Sequence, residues 1–133
     1  MFNRNEYMDQ FLDEIMEPGE VEKQYFYVMS FAPLTNYLLF QEFTMLLNKH
    51  MIVAFTNKRI LICEMDGTTG KMTGNFLPLD LQDVKEISFK RGLLKTTVKI
   101  TFSDDSKIQI KPNNVCVGLS NHKKNLLALA ERY

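Results

Sequence analysis

From residue 50 onwards the apolar positions fall in short runs separated by turn residues, and late in the chain they alternate strictly with polar ones. Val98, Ile100 and Phe102 share one side of an extended segment, while Thr97, Lys99, Thr101 and Ser103 share the other. Asp104-Asp105-Ser106 supplies a turn, after which Ile108 and Ile110 alternate with Lys107, Gln109 and Lys111. The pattern predicts a half-buried antiparallel hairpin with a wet outer face, ended by Pro112-Asn113-Asn114. Upstream, Met51–Thr56 and Arg59–Met65 flank Asn57-Lys58, a tight connection in which Asn tolerates a positive φ. Asp66-Gly67 opens the next turn. Further strands are predicted at 71–78, 83–91, 94–103 and 106–111.

The first part of the chain has a different character. Met8, Phe11, Leu12, Ile15 and Met16 fall on one face at helical spacing, so a helix is predicted at 5–17, capped by Asn3 or Asn5 and ended by Pro18-Gly19. Its apolar stripe is expected to dock on the domain's own core, with docking on a partner as the alternative. The β-branched and aromatic residues of 21–31 suit a strand, with Pro33 as its stop. Residues 36–48, with Leu38, Leu39, Phe40, Phe43, Leu46 and Leu47, predict a buried or half-buried helix. Helical spacing returns at about 118–132 through Leu119, Leu126, Ala130 and Tyr133, broadened by Leu127 and Leu129.

Composition narrows the classes. With 133 residues, 45% hydrophobic and 24% charged, the chain reads as one soluble domain, 1–133: a leading helix over 1–19 and a barrel with its closing helix over 20–132. Lys and Arg balance Asp and Glu at 16 each, so nucleic acid is not an expected partner. Gln24 to Gln41 is uncharged throughout, but Ser30, Pro33, Thr35 and Asn36 interrupt it, and a membrane span is not expected. Cys63 and Cys116 read as two reduced thiols of a cytoplasmic protein rather than a disulfide framework.

The run Ile52-Val53-Ala54-Phe55-Thr56-Asn57-Lys58-Arg59-Ile60-Leu61-Ile62 resembles the hairpin signature of bacterial pleckstrin-homology-like domains. Leu77-Pro78-Leu79, Val84-Lys85-Glu86-Ile87, Gly92-Leu93-Leu94 and the closing hairpin follow in the family's order, so the resemblance covers about residues 20–132. It implies a mainly β fold: a seven-stranded, orthogonally bent antiparallel barrel capped by a C-terminal helix. The leading helix and the helical insert between strands 1 and 2 are additions to the family pattern. The best-known use of this fold is in phosphoinositide-binding pleckstrin domains, which hold the headgroup with basic residues between and around the first two strands. Here Lys49 is the only base of 32–49 and bidentate Arg clamps are missing, so specific phosphoinositide binding is not expected.

Candidate chemistry is sparse. His50 and His122 belong to no triad or metal-ligand pattern and read as surface or edge histidines, replaceable by Gln without loss. Gly67 and Gly70 are not a phosphate-cradling motif. The chain is therefore read as a non-enzyme without metal or cofactor. Charge is unevenly spread instead: residues 1–22 hold seven acids and one base, and 84–111 hold seven bases and three acids. Two functions follow as expectations. One is an interaction module that binds a protein partner or itself, with Tyr37, Phe40 and Phe43 as interface candidates. Segment 24–47 carries seven of the chain's fifteen aromatics. The alternative is weak peripheral contact with anionic membranes through Lys90, Arg91, Lys95 and Lys99. Backbone chemical shifts should be extended through 94–111; a helical signal there would overturn the barrel reading.

Overall fold

A computed structural model describes residues 4–21, 23–29, 31–33, 50–116 and 119–133. Helix α1 (Arg4–Ile15) leads into strands β1 (Gln24–Val28), β2 (Phe31–Pro33), β3 (His50–Phe55), β4 (Arg59–Met65) and β5 (Met72–Asp80). After one short 3-10 turn come β6 (Val84–Arg91), β7 (Thr96–Phe102), β8 (Lys107–Ile110) and helix α2 (Asn121–Arg132). All pairing between these strands is antiparallel, in two four-stranded sheets ordered β1-β3-β4-β5 and β2-β8-β7-β6.

The strand predicted at 21–31 is the hinge between the sheets. Its first arm, β1, sets Phe26 opposite Val53, and two residues later its second arm, β2, sets Phe31 opposite Ile110. One strand thus serves both sheets, and the seven predicted strands become eight paired segments. Pro33 ends β2, an edge strand, where proline is tolerated. The predicted helix at 36–48 lies outside the described residues.

The late alternation is realised directly. Thr96, Val98, Ile100 and Phe102 are buried, and Lys99 between them is exposed. β3 and β4 do not alternate, because both of their faces are covered. Met51, Val53, Phe55, Ile60 and Ile62 point into the core between the sheets; Ile52, Ala54, Leu61, Cys63 and Met65 point the other way. Met8 and Leu12 of α1, both buried, lie on that second face together with Tyr25 and Leu119. The leading helix therefore docks on its own sheet, as its stripe predicts.

Helix α2 closes the barrel mouth. Leu126 and Leu129 enter the core, and Tyr133 stacks on Phe89 at 6.0 Å between ring centroids, beside Phe26 and Phe55. Its buried face also carries two polar residues that the apolar spacing leaves out. Tyr27 N–H donates to His122 Nδ1 at 2.9 Å, and Asn125 Nδ2 donates to the Tyr25 carbonyl at 3.0 Å. β1 is an edge strand, so these side chains occupy backbone groups that a sheet edge otherwise exposes. Asn5, expected to cap α1, sits inside it and caps α2 instead: its Oδ1 accepts from Asn121 N–H at 3.1 Å, and its Nδ2 donates to Ser120 Oγ at 2.6 Å.

Leu12→Ala should lower unfolding free energy by about 2–5 kcal/mol, since it opens a cavity between α1 and the sheet. Urea titration measures it; a loss near zero would mean that α1 does not cover this face in solution.

Candidate functional site

The Thr56–Arg59 turn is the most specific motif of the sequence, and its side chains face the linker between α1 and β1. Thr56 Oγ1 accepts from the Lys58 and Arg59 N–H groups at 3.1 and 3.0 Å, which tightens the turn. Asn57 does not take a positive φ; among the described non-glycine residues only Asp105 does, at 68°. Its amide is used to hold the linker, accepting from Val21 N–H at 2.8 Å and donating to the Gly19 carbonyl at 3.1 Å. Glu20 lies beneath, its side chain fully buried. Its Oε2 accepts from Thr56 Oγ1 at 2.6 Å, and its Oε1 accepts from the Glu17 N–H at 2.8 Å and from the Arg59 guanidinium. Arg59 also donates to the Ile15 carbonyl at 3.2 Å, the last residue of α1. Burial pushes the Glu20 carboxyl up, but the Arg59 hydrogen bonds, the Glu17 N–H, the Thr56 hydroxyl and the Arg59 charge outweigh it and bring the pKa down to about 2. This is a buckle that clamps helix to barrel, with Arg59 shared among Glu20, Glu17 and the Ile15 carbonyl.

The remaining reactive groups are likewise engaged. His122 is not a surface histidine: it is fully buried, packs edge-on against Phe26, and its Nε2 bonds the Asn113 carbonyl at 2.6 Å. With Nδ1 accepting from Tyr27, that nitrogen carries the proton. Burial lowers its pKa, against the smaller opposing pull of the Asn113 carbonyl. The surface or edge reading of this histidine is thereby corrected. His50 is half-buried, stacked on Tyr27 with a hydrogen bond between its Nδ1 and the phenol oxygen. Its ring would lie 2.4 Å from a Cβ at position 67, which explains Gly67. The two form part of the wall of a cleft of about 360 Å³ with Met65, Thr68, Thr69 and Cys116. Neither cysteine is in a disulfide; burial pushes the Cys63 thiol up to about 12, so it is no nucleophile.

The basic residues behave otherwise. The ladder pairs Arg91 with Thr96, Lys90 with Thr97 and Ser88 with Lys99. Lys90, Arg91 and Lys95 therefore meet at one end of the β6–β7 hairpin, and Lys99 lies further along the outer face from Lys90. All four are exposed, and none has an ion-pair partner among the described residues. Between them the turn carries Leu93 and Leu94, exposed at 94% and 76%. The turn is firmly built. Gly92 N–H donates to the Lys95 carbonyl at 2.8 Å, and a Cβ at Gly92 would stand 2.8 Å from that same oxygen. Asn114, itself buried, donates to the Gly92 and Leu93 carbonyls at 3.1 and 3.2 Å, gives its backbone N–H to Leu94, and accepts from Thr96 Oγ1 at 2.7 Å. Burying one such leucine is worth about 1.5–3 kcal/mol, which this turn leaves unclaimed. The signal was present in the sequence: Leu-Leu stands at a turn, where polar residues are usual, between Arg91 and Lys95. Tyr37, Phe40 and Phe43 lie outside the described residues.

Two antiparallel sheets joined through a shared first strand and closed by a terminal helix define a pleckstrin-homology-like domain. The profile of the bacterial PH domain family matches residues 19–116, and the chain belongs to that family. The matched stretch begins beside Glu20 and contains the buckle and the leucine turn. The hSac2 domain from human phosphoinositide phosphatase Sac2 has a similar fold, with a TM-score of 0.51 at 9% identity, over 96% of this chain and 76% of that one. No curated protein matches the chain. No helix among the described residues is long and apolar enough to cross a membrane.

Two acid transitions should mark this network. His122 has a folded pKa below its ordinary 6.5, so the unfolded chain binds the proton more readily and stability falls as pH drops below about 6.5. Glu20 has a folded pKa of about 2 against an ordinary 4.5, so its contribution is full above 4.5 and lost as pH falls towards 2. That second contribution is on the order of 3 kcal/mol. Urea midpoints measured from pH 8 to about pH 2.5 should fall in both windows. His122→Gln should remove the upper step and Glu20→Gln the lower; a pH-independent midpoint would contradict both assignments.

Proposed function

We propose that this domain is a non-catalytic interaction module whose working surface is the projecting β6–β7 turn with its flanking bases. The observation that carries the reading is the exposure of Leu93 and Leu94 on a turn that Asn114 holds rigid. Exposed apolar side chains on an ordered scaffold are a common mark of docking surfaces. A non-catalytic role is supported by the use made of the buried titratable groups: Glu20, Arg59 and His122 each join separate elements of the fold.

Self-association through Tyr37, Phe40 and Phe43 is the second reading. The aromatic density of 24–47 favours it, but internal packing accounts for part of that density. Tyr25 is covered by α1, Phe26 lies in the barrel core, and Tyr27 stacks on His50. The surplus that called for an outside partner is correspondingly smaller. Phe40→Asp with Phe43→Asp, followed by sedimentation, separates this reading from the first.

Fractionation of cells expressing the tagged chain tests the main reading. Wild type should be recovered with large assemblies or particulate material. Leu93→Ser/Leu94→Ser should be recovered as the free chain, with unfolding free energy changed by no more than about 0.5 kcal/mol per site, as for surface positions generally. Identical fractionation of the two would show that the turn is not the working surface.

A further inference from the structure

The leucine turn sits at one end of a sheet whose charge is sharply divided. Asp83, Glu86, Asp104 and Asp105 lie at the far end, where Lys85 is paired with Asp105 at 2.7 Å. From Ile87 to Ser103 the chain carries four bases and no acid. Lys111 comes directly after Ile110, which pairs with Val98, so it adds a base near the same end. A shallow depression lined by Arg91, Thr96, Asn114, Lys123 and Leu127 joins the turn to α2 and brings in Lys123. Val115, next to Asn114, contributes another exposed apolar side chain. Glu6, Asp9, Asp13 and Glu14 lie on α1, which covers the outer side of the other sheet.

Building on the docking surface proposed above, we infer that the occupant of this surface is an anionic lipid bilayer. Three features select it. The apolar part is a projection of two adjacent leucines, not a groove, and a projection needs a partner that yields around it; acyl chains do so without a preformed pocket. The bases ring the projection at the level where headgroups would lie. They are mainly lysines spread over β6, the turn, β7 and α2, which act as separate point charges and not as a converging bidentate clamp. Such a ring attracts negative surface charge in general and does not select a single polyphosphate headgroup. The hydrogen bonds from Asn114 and the close Gly92–Lys95 contact hold the turn in shape before contact, so little order has to be gained on insertion. Insertion of an apolar tip combined with attraction by surrounding bases is the two-signal arrangement that stable peripheral binding requires.

Because the chain has no tryptophan, a single Leu93→Trp substitution reports directly on the environment of the tip. The full chain is mixed with phosphatidylcholine vesicles with or without about 30 mol% phosphatidylserine. Wild type should co-sediment only with the anionic vesicles, and the Leu93→Trp emission should shift to the blue on binding. Leu93→Ser/Leu94→Ser should weaken binding about tenfold or more, and Lys90→Glu/Lys95→Glu should do the same. Raising salt to about 0.5 M should weaken attachment through screening of the bases. Failure of wild type to bind anionic vesicles, or binding by the leucine and lysine variants as tight as that of wild type, would overturn the inference. If vesicles are not bound but the leucine pair is needed for a dimer seen by sedimentation, the lipid assignment falls and the docking surface stands. If neither vesicle binding, dimerisation nor cell fractionation depends on the pair, both fall.

Discussion

The β3–β4 hairpin is apolar on both faces, and the rest of the molecule is arranged around that fact. A strand buried on one side only can leave alternate residues in water; Met51–Phe55 and Ile60–Cys63 cannot. One face is closed by the second sheet, which must fold over it and therefore needs a strand shared between the two sheets. The other is closed by α1, which must be brought back across β3 and β4 and kept there. Burial of these residues supplies the main favourable term, but burial is non-directional and does not set the position of a helix on a flat sheet. Position comes from the Glu20–Arg59 buckle. It ties the end of α1, the linker and the hairpin turn at one point, and does so with charged groups that tolerate few alternative geometries. Breaking such a buried pair costs about 3–5 kcal/mol, more than exposed ion pairs contribute.

Edge protection follows the same economy. The free side of β1 is closed by His122 and Asn125 of α2, and the first turn of α2 is capped by Asn5 of α1. Each helix thus helps to hold the other in place, and the first strand is fixed from three directions. Among the described residues the most exposed apolar side chain stands at a rigid corner, where the β6–β7 turn presents two leucines among bases. A fold that spends its buried polar groups internally leaves function to its surface, and this corner is the part of that surface where exposure is least expected on grounds of stability alone.

The sequence was most legible where a residue's environment depends on its neighbours in the chain. Alternation in 97–103 and 107–111, the turn residues between strands, the stripe of α1 and the limits of the β3–β4 hairpin all come from local periodicity, and their positions agree with the structure to within a few residues. Lys90, Arg91, Lys95 and Lys99 are visible as a charge run, but the leucines between them read as family spacing, because an apolar pair at a turn is a fainter signal than a repeated period.

Tertiary structure alone decided the roles of the polar residues. Tyr27 and His122 are 95 residues apart, Glu20 and Arg59 are 39 apart, and Asn5 and Asn121 are 116 apart. A histidine in an amphipathic helix reads as solvent-facing unless the strand whose backbone it satisfies is known to lie beside it. A glutamate before a strand reads as a surface charge unless the arginine beneath it is known. Local pattern determines which faces are apolar and where the chain turns, because those depend on periods of two and 3.6 residues. Which face covers which, and which polar group completes which edge, depends on contacts that exist only once the sheets have closed.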